Sequence, residues 1–439
     1  MITLSGPAAP ARRGFAATAA FVLMLFYVGM LYVRPQDFVP DFQDVPIMPV
    51  LLAAAFACWL FTGERSFRTS PHRIVIVMVL FFCFTVAITG WPGGFVARMV
   101  QFAPMVIMFL LVSDTADSTP RLVAMAVLLS LVAILVSVHG IDQSADPEGV
   151  GWTGMRLAEG TRITYAGILN DPNDLAQFLL MCLPLLALVL GRTRSRLLKL
   201  AWYAGGAVVL YGVFLTNSRG GLLALLTQAM LLFKARYGYW KAGVLGAVGL
   251  AGVALMPSRL SQLDAEEESA AGRIDSWYEG IEMLKGSPVW GVGQGNFTDH
   301  HPLAAHNSLV VVFAEVGLVG YFLWLAFVGL SAYLLVLVLR QPEDAAANSA
   351  TTSAQRDHKS VARALLFSFL GFMFTGFFLS RSYSPTLFLL CGLCVATYLA
   401  DVRVVPSIPQ PRLGQFAGRL VVIELASIVV IFVLVKVLL

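Results

Sequence analysis

Apolar positions along this chain come in long unbroken runs, not in the alternating or one-faced patterns of soluble strands and helices. They occupy residues 15–33, 46–62, 73–90, 95–112, 121–140, 174–190, 198–216, 219–233, 239–256, 315–339, 361–380, 384–400 and 419–438. Most are long enough to cross roughly 30 Å of hydrocarbon as a helix, with 219–233 and 384–400 short for a span. Backbone groups in lipid must pair internally, so such runs predict helices packed as a bundle. The expected fold is an all-α integral membrane protein with about thirteen transmembrane helices. Between the runs lie two long polar segments, 141–173 and 257–305. They divide the chain into N-terminal helices (1–140), central helices with the first loop (141–256), the second loop (257–305) and C-terminal helices (306–439).

Composition agrees on the solvent. Hydrophobic residues make up 58% and charged residues 13%, against roughly 25% charged in ordinary soluble domains. The first run continues into "YVRPQDF" without a small-residue cleavage site, so it reads as a retained span rather than a signal peptide. Charge sets the orientation. With the N-terminus inside, 20 of the 30 Lys and Arg fall in inner loops, while 18 of the 26 Asp and Glu fall outside. This is the asymmetry of the positive-inside rule. It explains the basic clusters as topology and argues against nucleic acid as a partner. The five cysteines all lie in apolar runs. "CGLC" at 391–394 has no polar ligands around it for zinc or redox chemistry. The stretch 343–357 reads as a flexible connector of small and polar residues.

The exceptions to the charge rule stand out. Arg34, Arg98, Arg156, Arg162, Arg219, Arg259, Arg273 and Arg381 all fall on the outer side. Boundary arginines can snorkel to headgroup phosphates. An outward cavity lined by guanidiniums can equally hold a phosphorylated lipid, because each matches phosphate oxygens two at a time. "LTNSRGGLLALL" (215–226) puts Arg219 where an apolar helix begins, with Asn217 or Ser218 able to cap it. "NDPND" (170–174) offers Asp171 as a cap and Pro172 in the first turn, and leaves Asn173 and Asp174 as candidates for contacting a sugar or diphosphate. "GRIDSWYEGIEMLKGSP" spaces Ile274, Trp277, Ile281 and Leu284 on one face, predicting an amphipathic helix that lies on the bilayer or roofs a cavity. The glycines of "VWGVGQGNF" lack the strand and helix of a dinucleotide fold. His306 stands where the second loop enters an apolar run, with His300 and His301 nearby; their spacing matches no usual zinc pattern. A histidine there can act as a general base near neutral pH.

Three stretches together resemble the O-antigen ligase/polymerase superfamily. They are "TNSRGG" (216–221), "GRIDSWYEGIEMLKGSPVWGVGQGNF" (272–297) and "HNSLVVVFAEVGLVG" (306–320). His306-Asn307 followed by Gly317 and Gly320 is similar to the ligase form of the motif. "LYVRPQDFVP" and "NDPNDLAQFLL" also resemble the exosortase-associated O-glycosylation ligase subgroup. The resemblance implies a GT-C-like bundle of about twelve to thirteen helices with a large periplasmic loop, in a bacterial inner membrane. It implies an inverting, metal-independent glycosyltransferase without a cofactor. The donor would be an undecaprenyl-diphosphate-linked glycan and the acceptor a lipid such as lipid A-core. A growing glycan would make it a polymerase instead, and a protein side chain a protein O-oligosaccharyltransferase. Arg219 and Arg273 would hold the diphosphate, His306 would deprotonate the acceptor, and Asn307, Ser218, Asn173, Asp174, Arg162 and Arg381 would contact substrate. From another class, a flippase for lipid-linked glycans should show paired repeats and mid-membrane polar residues. Here no repeat is visible and the ionisable residues gather at one face.

Overall fold

The computed structural model describes residues 14–43, 45–62, 67, 69–255, 263–342 and 349–438. Arg259 lies outside them. Fifteen helices follow in order: α1 (Phe15–Val33), α2 (Ile47–Leu60), α3 (Ser70–Ile88), α4 (Gly94–Thr115), α5 (Thr119–Ala145), α6 (Pro172–Arg192), α7 (Arg196–Leu215), α8 (Arg219–Tyr237), α9 (Tyr239–Leu255), α10 (Leu263–Gly286), α11 (Phe297–His300), α12 (Ser308–Arg340), α13 (Ser349–Gly376), α14 (Pro385–Val404) and α15 (Leu413–Leu438). Among the described residues there is no strand; the first loop holds two isolated bridges, Val150–Arg156 and Ala158–Arg162. The protein is an all-α membrane bundle.

Each of the thirteen apolar runs falls mostly on one helix, some overrunning its ends by a few residues. Among the described residues nine helices are long and apolar enough to cross a bilayer unaided: α1, α3, α4, α5, α6, α7, α12, α14 and α15. The other four fall short for visible reasons. α2 has 14 residues and α9 has 17. α8 carries Arg219, Lys234 and Arg236, and α13 opens with a charged stretch through Arg356, Asp357, Lys359 and Arg363.

Burial sorts the helices into an inner and an outer set. α14 is buried along most of its length, packed on α4, α12 and α13, whereas α7 and α15 turn most of their surface outward. α15 exposes Val422, Ile423, Leu425, Val429, Val430 and Val433, an apolar face far too large for water. Since helices apolar all round carry no facing signal of their own, small residues let them approach. A Cβ on Gly205 would strike Ile134, and one on Gly212 would strike Ser137.

Two expectations need correcting. The connector read at 343–357 is shorter, because α13 is already helical from Ser349. Alanine favours helix, and the turn is anchored by Arg192, which donates to Asp357 and Ser360. The first loop also starts later, since α5 runs on to Ala145. Its remainder is strapped to the bundle: Gln143 pairs with Thr164 and Met155, and the Tyr165 hydroxyl donates to the Val33 carbonyl.

Candidate functional site

The starts of α6, α8, α12 and α14 and the ends of α7 and α13 meet at one end of the bundle. Each helix start there is capped by its own sequence. Asp171 accepts from the Asn173 and Asp174 amides, with Pro172 at the first position. Ser218 accepts from Gly221, and Ser384 from Leu387. Asn307 caps α12, its Oδ1 taking the Leu309 and Val310 amides at 2.9 and 3.3 Å.

Side chains then join these starts to one another. Arg162 donates to the Thr216 carbonyl (3.0 Å), to Glu159 (3.2 Å) and to Asn173 Oδ1 (2.9 Å). The same Asn173 oxygen accepts from the Ser218 hydroxyl at 2.8 Å. One amide oxygen thus links the first loop, the start of α6 and the start of α8, and Arg219 follows directly on Ser218. Across the site, Arg381 pairs through two nitrogens with both carboxylate oxygens of buried Asp174. Ser308 sews α12 to the same turn. Its hydroxyl donates to the Leu379 carbonyl and accepts from the Arg381 amide, while Ser382 donates to the Ser308 carbonyl.

His306 sits in the middle, half-buried, with φ +48°. A left-handed backbone is uncommon outside glycine and marks a held conformation. Asn217 (φ +48°) occupies the equivalent place, directly before the cap of α8. Burial lowers the His306 pKa, and the positive charges of Arg273 and Arg381 lower it further against the opposing Asp171. Both effects favour the neutral imidazole. Arg273, on α10, is also pushed down, by burial and then by the neighbouring Arg162 charge, and its Nε is buried without a hydrogen-bond partner. Two guanidiniums held close together, one with an orphaned donor, suit an anionic ligand. Against Arg381 and Asp174 opens a cavity of about 280 Å³, also lined by Gln101, Gln177, Ser380 and Tyr383. Ser380 Oγ is buried there without a partner.

The loop carrying Arg273 is fastened to the bundle through a break in α12. Gly317 adopts φ +63° and ψ −169°, interrupting the helix. The Ala314 and Glu315 carbonyls freed there accept from Val292 (3.0 Å) and Gly293 (2.8 Å), and the Leu318 amide donates to Pro288 (2.8 Å). Non-helical backbone near the membrane is tolerated because protein satisfies it. A Cβ on Gly317 would lie 2.5 Å from the Val289 carbonyl, and one on Gly291 would lie 2.3 Å from the Glu315 backbone. α10 lies on this seam. Trp277 donates to the Ala305 carbonyl (2.8 Å), and Ile281 and Leu284 are buried. The amphipathic helix therefore packs on α12 and α15.

Residues 204–325, from α7 through the first part of α12, match the family model described as O-antigen ligase. Across these residues the chain carries a domain of the O-antigen ligase type. No curated protein matches the sequence. The O-antigen ligase match spans Ser218, Arg219, Arg273, His306, Asn307, Gly317 and Gly320, and it supports a ligase- or polymerase-type activity over a flippase. Arg162, Asn173, Asp174 and Arg381 lie outside the matched stretch, and the fold alone brings them to it.

Of the residues singled out in the sequence, Arg162, Asn173 and Ser218 form one hydrogen-bonded set and Asp174 and Arg381 another, and Arg273 and His306 lie within electrostatic reach of Arg162 and of Arg381 respectively. Arg219 enters through its neighbour Ser218. His300 is exposed on α11, and His301 ties Asp275 and Ser276 of α10 to the loop. Two contributors were not recognised as such from sequence. Asp171 is visible there only as a cap, yet its charge faces both His306 and Arg273. Ser308 reads as an ordinary helix residue, and no local pattern announces its bonds to a turn seventy residues on.

Proposed function

We propose that the chain is a GT-C-like, inverting, metal-independent glycosyltransferase of the ligase type, with its site on the periplasmic side of a bacterial inner membrane. It would move a glycan from undecaprenyl diphosphate to an acceptor hydroxyl, lipid A-core being the acceptor the motif favours. The observation that carries this reading is a half-buried histidine in a constrained backbone, within reach of arginine charges that favour its neutral form. A base must be unprotonated, and the charges that favour that form are those that would attract a diphosphate.

The acceptor oxygen attacks the anomeric carbon from the face opposite the phosphate. Its proton passes to His306 as the new carbon–oxygen bond forms. The bond to phosphate breaks, and undecaprenyl diphosphate leaves with the electron pair. The developing charge is met by Arg273 and Arg219, aided by the first N–H groups of α8, where a helix start favours anions. Preorganised cations of this kind stabilise the transition state without metal. Asn173, Asp174 and Arg162 act mainly through the groups they hold, while Arg381 and Ser218 line the donor's approach. Asn307 has an amide nitrogen that is buried without a partner, a donor available to a sugar hydroxyl.

The test uses purified protein in excess EDTA with an undecaprenyl-diphosphate-linked glycan. Lipid A-core, a second lipid-linked glycan and a serine/threonine peptide are offered separately as acceptors. We expect transfer to lipid A-core, lost by about 10²–10⁴-fold in His306→Ala with donor binding retained. Arg273→Lys should impair transfer by losing bidentate geometry. Magnesium-dependent transfer, or full turnover by His306→Ala, would overturn the mechanism. Transfer to the second lipid-linked glycan alone would make the enzyme a polymerase.

A further inference from the structure

A second cavity lies at the opposite end of the bundle from His306. α3 shows this directly: its C-terminal Thr85 hydroxyl accepts from Gln294 in the second loop, so its first residue, Ser70, is at the far end. There the start of α3, the middle of α12 and residues 410–415 enclose about 900 Å³. The Ser70 hydroxyl donates to the Pro411 carbonyl and closes one wall.

The lining is of two kinds. Arg73, Gln410, Arg412 and Gln415 are polar, Ile74, Val77, Leu323 and Leu413 are apolar, and along α3 Val77 lies one turn further from the helix start than Arg73. Among the described residues no carboxylate lines it, and both arginines are exposed. Val77 both lines the cavity and is exposed on the lipid-facing side of α3, so the apolar lining is continuous with the bundle's outer surface. A soluble anion would use the arginines and leave the apolar lining wet. A phospholipid uses both: its phosphate meets the guanidiniums at the membrane boundary, and its chains cover the wall below. α3 and α15 both begin at this mouth, which adds to the positive potential.

We propose that this cavity binds an anionic phospholipid of the leaflet opposite the catalytic end, the cytoplasmic leaflet by the charge bias, and that the lipid joins α3, α12 and the segment before α15. Basic pockets between helices on that side suit such headgroups, each arginine contributing about 1 kcal/mol. The two together correspond to about thirtyfold in affinity.

Native mass spectrometry of delipidated full-length protein would measure binding of phosphatidylglycerol, phosphatidylethanolamine and inorganic phosphate. We expect phosphatidylglycerol to bind about thirtyfold tighter than phosphatidylethanolamine, and Arg73→Gln/Arg412→Gln to abolish the preference. A photoreactive phosphatidylglycerol should label residues 70–77 or 410–415 of the wild type, a readout that needs no variant. Equal binding of the two lipids, a preference that survives in the double variant, labelling elsewhere, or displacement by equimolar phosphate would each overturn the proposal.

Discussion

Removing either partner of the Arg381–Asp174 pair should have very different consequences, because the two are unequally wet. The Asp174 side chain is 4% exposed and that of Arg381 is 41% exposed. Arg381→Ala strands a carboxylate that is almost wholly shielded from bulk solvent. Breaking a buried pair this way costs about 3–5 kcal/mol. Asp174→Asn keeps the volume and removes the buried charge, leaving a guanidinium that reaches solvent. Its cost should approach that of a partly exposed pair, about 1 kcal/mol. The double variant should then be more stable than Arg381→Ala alone, by about 2 kcal/mol on the same reasoning. Thermal unfolding of the purified proteins in one detergent and one lipid background gives the order directly. Equal losses for the two single variants, with simple additivity in the double, would refute the inference that Asp174 is charged and held by Arg381. Glycan transfer by the same variants separates structure from chemistry. If Arg381 also lines the donor's approach, the double variant should regain stability and not activity.

Two further outcomes follow from the site. The pKa of His306 is lowered by burial, Arg273 and Arg381, so its neutral form persists to lower pH than in an ordinary histidine. Transfer should be flat with pH near neutrality and fall only below about 6.5, and His306→Ala should lose that acid limb; an inflection above 7 would contradict the assignment. Gly317→Ala would force a left-handed alanine against the Val289 backbone at 2.5 Å. Strain of about 1–2 kcal/mol plus overpacking of about 1–3 kcal/mol should lower the melting temperature and loosen the Arg273 loop, visible as faster hydrogen exchange at Val292 and Gly293; unchanged exchange would mean that the seam does not depend on this glycine.

What the amino-acid order determined by itself is everything that depends on a residue and its near neighbours. Apolar runs became helices because lipid allows little else. Asp171-Pro172, Ser218 and Ser384 start helices because a short polar side chain can reach an amide two or three residues ahead. Ile281 and Leu284 share a face because a helix repeats every 3.6 residues. The motif stretches carried the family, and with it Arg219, Arg273 and His306. Only the tertiary structure decided which of these ends meet. Helices that are apolar on all sides give no clue to their partners, so nothing local says that Asn173 lies between Arg162 and Ser218, or that Ser308 is bonded to Leu379. The role of Gly317 was equally hidden. Its spacing from His306 is legible as a motif, but the reason for it is a carbonyl of Val289 packed where a side chain would be. The same holds for charge. An arginine's position along the chain tells its side of the membrane, while its use depends on which buried charges the folded bundle sets against it.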